Sequence, residues 1–177
     1  MFETIYKLLN WWILEYKDVK DFDLYTNITL NEQTNNRYKF PGCFIEFLPV
    51  QIDQMLENLD VCQISFNLHF IFDNLVGTSI ETLSLIDGVS AHINKLNRLT
   101  FVDTPVDIRN ENISVWSFLR KQANINPRKI NNSLSEVVLN YKVNVVDATG
   151  TEKSDYWFKI ASLDDIHLEK EIKNYIY

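Results

Sequence analysis

Val61-Cys62-Gln63-Ile64-Ser65-Phe66-Asn67-Leu68-His69-Phe70-Ile71-Phe72 is the stretch on which the fold turns. Cys62, Ile64, Phe66, Leu68, Phe70 and Phe72 point one way, while Gln63, Ser65, Asn67 and His69 point the other. Alternation this strict over this length predicts a β-strand with one face in a core and one face polar. Upstream, Pro41-Gly42 punctuates the start of Cys43-Phe44-Ile45-Glu46-Phe47-Leu48. That run is apolar on both faces apart from Glu46, the pattern of a central strand covered on both sides. The two strands are expected to pair as an antiparallel hairpin through a loop near residue 55, with 51–60 a polar connection. In that register Cys43 lies near His69 and far from Cys62. A disulfide needs Cα atoms within about 7 Å, so both cysteines are expected as reduced core thiols.

Outward from this hairpin, residues 3–16 predict an amphipathic helix. Ile5, Leu9, Trp12, Ile13 and Tyr16 share one face, and Leu8, Trp11 and Leu14 widen the apolar stripe. Such a helix is either buried on more than one side or presents Trp11 to a neighbouring subunit. Phe22 to Tyr25 reads as a short strand and 31–37 as a loop. Thr78-Ser79-Ile80-Glu81 is a capping box, and Ile86, Val89, Ile93 and Leu96 continue at helical spacing. Residues 100–108 are expected as a further strand. Residues 110–132 mix Trp116, Phe118 and Leu119 with polar residues, show no clear period and are the least legible stretch. Val137, Leu139, Tyr141, Val143 and Val145 alternate with polar residues as a second period-two strand, closed by Asp147-Ala148-Thr149-Gly150. The expected fold class is α+β: an antiparallel sheet with N-terminal and central helices packed on one face. Residues 1–150 form the core domain. Residues 151–177, with Tyr156-Trp157-Phe158 and a charged segment from Leu163, form a C-terminal arm or helix.

The chain has 177 residues, 46% of them hydrophobic and 23% charged, which excludes disorder, collagen and coiled coil as whole-chain descriptions. Seventeen bases against 24 acids give a net charge of −7, unlike a general nucleic-acid binder. No apolar run approaches the 18 or so residues of a membrane span, and Met1-Phe2-Glu3-Thr4-Ile5 does not read as a signal peptide. His69, His92 and His167 stand alone, so no metal or other cofactor is expected. Cys43 near His69 superficially resembles a nucleophile and its base, but a cysteine in an apolar strand is usually inert. No glycine-rich phosphate loop or nucleophile elbow occurs. An enzyme is therefore not expected.

Charge is unevenly spread. Residues 51–94 hold six acids and no Lys or Arg, a net −6. Residues 95–129 hold seven bases against three acids, a net +4. This is either ordinary surface scatter or the two halves of a heterologous contact, in which complementary patches steer docking and closure makes a ring.

Taken together, Ile5-Tyr6-Lys7-Leu8-Leu9, then Phe40-Pro41-Gly42-Cys43-Phe44-Ile45-Glu46-Phe47, the alternating strand, and Leu83 to Ile93 with Asp87-Gly88-Val89 form a pattern over roughly residues 1–147. It resembles the tail-terminator and tail-completion (neck) proteins of tailed bacteriophages, especially those of Bacteroides phages and prophages. Their pattern is a helix, F-P-x-x-x-I-E/D-F, an alternating strand and a D-x-I/V helix, with a late arginine, here Arg120, and a closing strand. The resemblance implies a tail-terminator-like sheet flanked by helices and a structural virion protein at the head–tail junction, assembled in the host cytoplasm. It implies a ring of six or twelve copies around a DNA channel. It also implies contacts with portal, neck or tail proteins, passage of genomic DNA, no membrane and no chemistry. The expected subunit-interface residues are Trp11, Trp116, Phe118, Arg120, Tyr156, Trp157 and Phe158. The other readings are a small soluble phage protein that binds or inhibits a host protein, and an undetected hydrolase.

Overall fold

The computed structural model describes residues 1–25, 38–50, 52–56, 59–73, 79–97, 104–108, 110, 113–130 and 134–147. In chain order its elements are α1 (Phe2–Leu14), β1 (Asp21–Leu24), β2 (Gly42–Phe47), β3 (Ile52–Leu56), β4 (Leu59–Asp73), α2 (Ser79–Leu96), β5 (Ile113–Lys129) and β6 (Leu134–Asp147).

Strand β4, the alternating stretch, organises the sheet. β6 runs antiparallel along one whole side of it, from Asp60 opposite Asp147 to Asp73 opposite Leu134. The other side is shared: β2 pairs with Phe66–Ile71 and β3 with Leu59–Cys62. The path across the sheet is β1-β2-β4-β6-β5, with β3 beside β4. All pairs are antiparallel except β1 with β2, which are parallel and joined by the long connection that a parallel pair requires. The result is an α+β fold with a mixed six-stranded sheet curled into a half-barrel.

Both helices lie on one face. Ile5, Leu9 and Ile13 of α1 and Ile86, Val89, Ile93 and Leu96 of α2 close over Ile64, Phe66, Leu68 and Phe70 of β4 and Leu139, Tyr141, Val143 and Val145 of β6. Phe66 stacks on Tyr141 at 5.8 Å and meets Phe118 edge-on at 6.4 Å. The opposite face carries a smaller cluster, Phe44, Ile71 and Leu134, flanked by Tyr25, Tyr38, Phe40 and Ile130. β2 is thus covered on both sides, with Cys43 and Ile45 in one cluster and Phe44 in the other.

Several expectations are corrected. The 51–60 connection contains β3, a five-residue strand paired with β4. Residues 104–108 are turns rather than strand, with the Ile108 amide donating to the Pro105 carbonyl; 100–103 lie outside the described residues. The stretch 110–132, which shows no clear period and which the family pattern would leave as an inserted loop, contains β5, a 17-residue edge strand. Cys43 pairs with Phe70 and Phe44 with His69, one residue away from the expected register. Both cysteines are buried, and neither is in a disulfide. Thr78 of the capping box and residues 151–177, including Tyr156, Trp157 and Phe158, lie outside the described residues.

Candidate functional site

The polar side of β4 is where the structure gathers titratable groups. His69 is 6% exposed and sits between two carboxylates from the flanking strands. Its Nδ1 lies 2.8 Å from Glu136 Oε1 of β6, and its Nε2 lies 3.1 Å from Glu46 Oε2 of β2. The Tyr25 ring stacks on the imidazole at 3.6 Å and 10°. The Asn67 amide donates to the same Glu46 oxygen at 2.8 Å, and the Asn140 amide donates to Asn67 at 3.0 Å. Farther along, Gln63 donates to Asn144, and Lys142 donates to Gln63. Glu136 is only 4% exposed, a burial a carboxylate tolerates only with a partner.

This array looks like catalytic machinery but is occupied at both ends. A general base needs a free nitrogen lone pair facing substrate. Both nitrogens of His69 lie within hydrogen-bond distance of carboxyl oxygens, so neither faces open space. The acids approach from opposite sides of the ring, so they do not converge on a common point. Among the described residues, no group of three or more His, Cys, Asp or Glu is placed to hold a metal ion. Cys43 belongs to the helix-side cluster, whereas His69 faces the other side of the sheet, so they cannot act as nucleophile and base. Burial also pushes the Cys43 thiol well above its ordinary pKa, away from the reactive thiolate.

The second organised region is where the C-terminus of α2 meets β5. Three irregularities interrupt the β5–β6 ladder, between Trp116 and Leu119, Arg120 and Gln122, and Asn124 and Arg128. At the first, Ser117 adopts φ 58, a left-handed conformation uncommon for a residue with a side chain. Asn97 holds this bulge. Its amide oxygen accepts from the Phe118 N–H at 2.6 Å and its NH₂ donates to the Phe118 carbonyl at 3.0 Å. Both backbone groups displaced from the ladder are satisfied by one side chain. The bulge turns Phe118 inward and leaves Leu119, 44% exposed, on the surface with Arg120 and Lys121.

The expected interface residues separate accordingly. Phe118, at 2% exposure, is part of the protomer's own core and is corrected from surface contact to packing. Arg120 reaches across to α2, its guanidinium donating to Ser90 Oγ at 3.1 Å rather than to a carboxylate. Beside them, burial raises the Tyr141 hydroxyl pKa, while Ser90 and Arg120 act in the opposite direction. Trp11 is half-buried, its ring 5.2 Å from Trp12. Trp12 is committed to α2: its indole N–H donates to the His92 carbonyl at 2.8 Å, and His92 Nε2 returns to the Trp12 carbonyl at 2.8 Å. Trp116 has its backbone in β5, and its side chain lies outside the described residues. Phe118 and Arg120 are therefore brought together at the β5 bulge, while Trp11 stands apart on α1.

A cleft of about 470 Å³ opens at the other end of α2, between its first turn, the chain leading into β1, and Phe40-Pro41. Among the described residues, it mixes apolar walls with Asp18, Asp73 and Glu81, against Lys20 as the one base. Glu46, Glu136 and Asn97 were not among the expected site residues. One signal was present for the first: Glu46 is the single charged residue of an otherwise apolar strand. No family model matches this chain, and a comparison with curated proteins finds no relative.

Proposed function

We propose that this protein is a structural virion protein of a tailed bacteriophage, one subunit of a ring at the head–tail junction around the DNA channel. The observation that carries the reading is β5. It is a 17-residue strand at the edge of the sheet, and among the described residues no strand pairs with its outer side. Long unpaired edges invite pairing with another chain unless bulges, charges or proline blunt them; β5 carries three bulges and Pro127, so it suits contact through side chains rather than strand addition. Here the strand also carries Arg120, Lys121, Arg128 and Lys129 and no acid, in a chain whose net charge is −7. A basic edge on an acidic protein suits contact with other copies or with neighbouring virion proteins. The net acidity suits a channel through which DNA passes without being gripped by counterion release. The occupied nitrogens of His69 fit a role without chemistry. The motif resemblance over residues 1–147 points the same way.

Electron microscopy of the purified protein, alone and mixed with portal and connector proteins of a tailed phage, tests this reading. Closed rings with a central hole, seated on the connector, are expected. Single small particles in both preparations would overturn the ring and favour a soluble protein that binds a host partner.

A further inference from the structure

Two surfaces at opposite ends of α2 complement one another. At its N-terminal end is the cleft, with Asp18, Asp73 and Glu81 against Lys20, walled in part by Phe40 and by Ile80, which is 77% exposed. An isoleucine that exposed beside two exposed acids, Asp18 and Glu81, is an unsatisfied apolar-plus-acidic surface. At the C-terminal end is the β5 bulge, where Leu119 projects beside Lys121, an exposed apolar-plus-basic surface. Leu119 follows Phe118, which Asn97 ties to the end of α2, so the bulge is fixed in position.

The distance between the surfaces decides the type of contact. From Glu81 to Asn97 is 16 residues, roughly 24 Å at the rise of an α-helix. A surface that far from its complement cannot reach it within one protomer. Two copies that join these surfaces leave one free surface at each end, which is a heterologous, head-to-tail contact that propagates and closes into a ring when the rotation permits.

We infer that the Leu119–Lys121 bulge of one copy seats in the acidic cleft of the next copy, Leu119 against Ile80 and Lys121 against Asp18 and Glu81. This deepens the ring reading and rests on it. The Arg120 guanidinium is already held by Ser90 and takes no part.

Charge reversal on each side tests the contact. Lys121→Glu and Glu81→Lys, both on exposed side chains, each place like charges together and should weaken self-association at least about tenfold. Asp18→Lys, outside the helix, is a second cleft-side variant should Glu81→Lys perturb the start of α2. Mixing the Lys121→Glu and Glu81→Lys proteins makes every contact of an alternating ring attractive again, so the mixture should assemble as the parent does. Light scattering reads all of these. Variants that assemble individually like the parent, or that fail to complement on mixing, overturn this contact and leave the ring reading standing. A parent that stays monomeric up to about 1 mM, with and without connector proteins, overturns both.

Discussion

His69 shows how a buried charge is held in this sheet. Glu136 is almost fully enclosed and has the imidazole at 2.8 Å, whereas the side chain of Glu46 is 41% exposed and keeps water on one side. Removing the histidine therefore takes a partner from an enclosed group at Glu136 and from a solvated one at Glu46. His69→Ala is expected to cost about 1–3 kcal/mol, the range for taking one partner from a buried hydrogen-bonding group. Glu46→Gln should cost less than about 1 kcal/mol, because solvent already screens that side. The double variant His69→Leu/Glu136→Leu should recover part of the loss, since it removes the buried acid together with the imidazole it faces. Urea unfolding of the three variants measures this, and equal losses for His69→Ala and Glu46→Gln would contradict the asymmetry. The array was only half legible in the sequence. The alternation of β4 places His69 on the polar face, but its neighbours depend on register. A one-residue error put Cys43 opposite His69 where Phe44 stands, and a one-residue slip exchanges the two faces of a strand.

Among the elements, those with an uninterrupted period were readable and those with irregularities were not. β4, β6 and α2 keep their repeats and match their expected positions to within a few residues. β5 does not, because three bulges reset its alternation, and each reset sends apolar and polar positions to exchanged faces. β3 was hidden by its length of five residues and by the register shift between Gln54 and Leu56, which leaves no alternation to read. Helix pairing depends on close approach. A Cβ built at Gly88 of α2 lies within 1.9 Å of the Tyr16 hydroxyl oxygen and 2.8 Å of Cζ, so the absence of a side chain admits Tyr16. Ala is intrinsically better than Gly in a helix by about 1 kcal/mol. Gly88→Ala is nevertheless expected to destabilise by about 1–3 kcal/mol, through overpacking. In a Tyr16→Leu background the same substitution should become neutral or stabilising. Thermal unfolding of the four proteins in this cycle reads the sign change, and a Gly88→Ala effect independent of residue 16 would contradict the contact.

At the scale of the whole molecule, three groups among the described residues lose protons less readily in the fold than in an unfolded chain. Burial raises the Cys43 thiol from 9.0 and the Tyr141 hydroxyl from 10.0. Burial, then the neighbouring Asp23 carboxylate, raises Tyr6 from 10.0. Each raised value means that the native state holds protons the unfolded chain releases, so stability is fully present below the ordinary value and is lost as pH rises. The urea midpoint is expected to show no loss from these groups between about pH 7 and 8, and to fall above about pH 9 to 10. A midpoint that rose through that alkaline range would contradict the burial of these groups. The half-barrel itself explains the rest of the molecule's surface. Among the described residues, its helix side is closed by α1 and α2, its other side carries a small apolar cluster and a row of hydrogen-bonded polar side chains, and β5 lies at the outer edge. The mass of the particle that the purified protein forms, by native mass spectrometry with and without phage connector proteins, is the most direct measurement of what that edge does. A six- or twelvefold ring is predicted, and a persistent monomer even with the connectors present would contradict it.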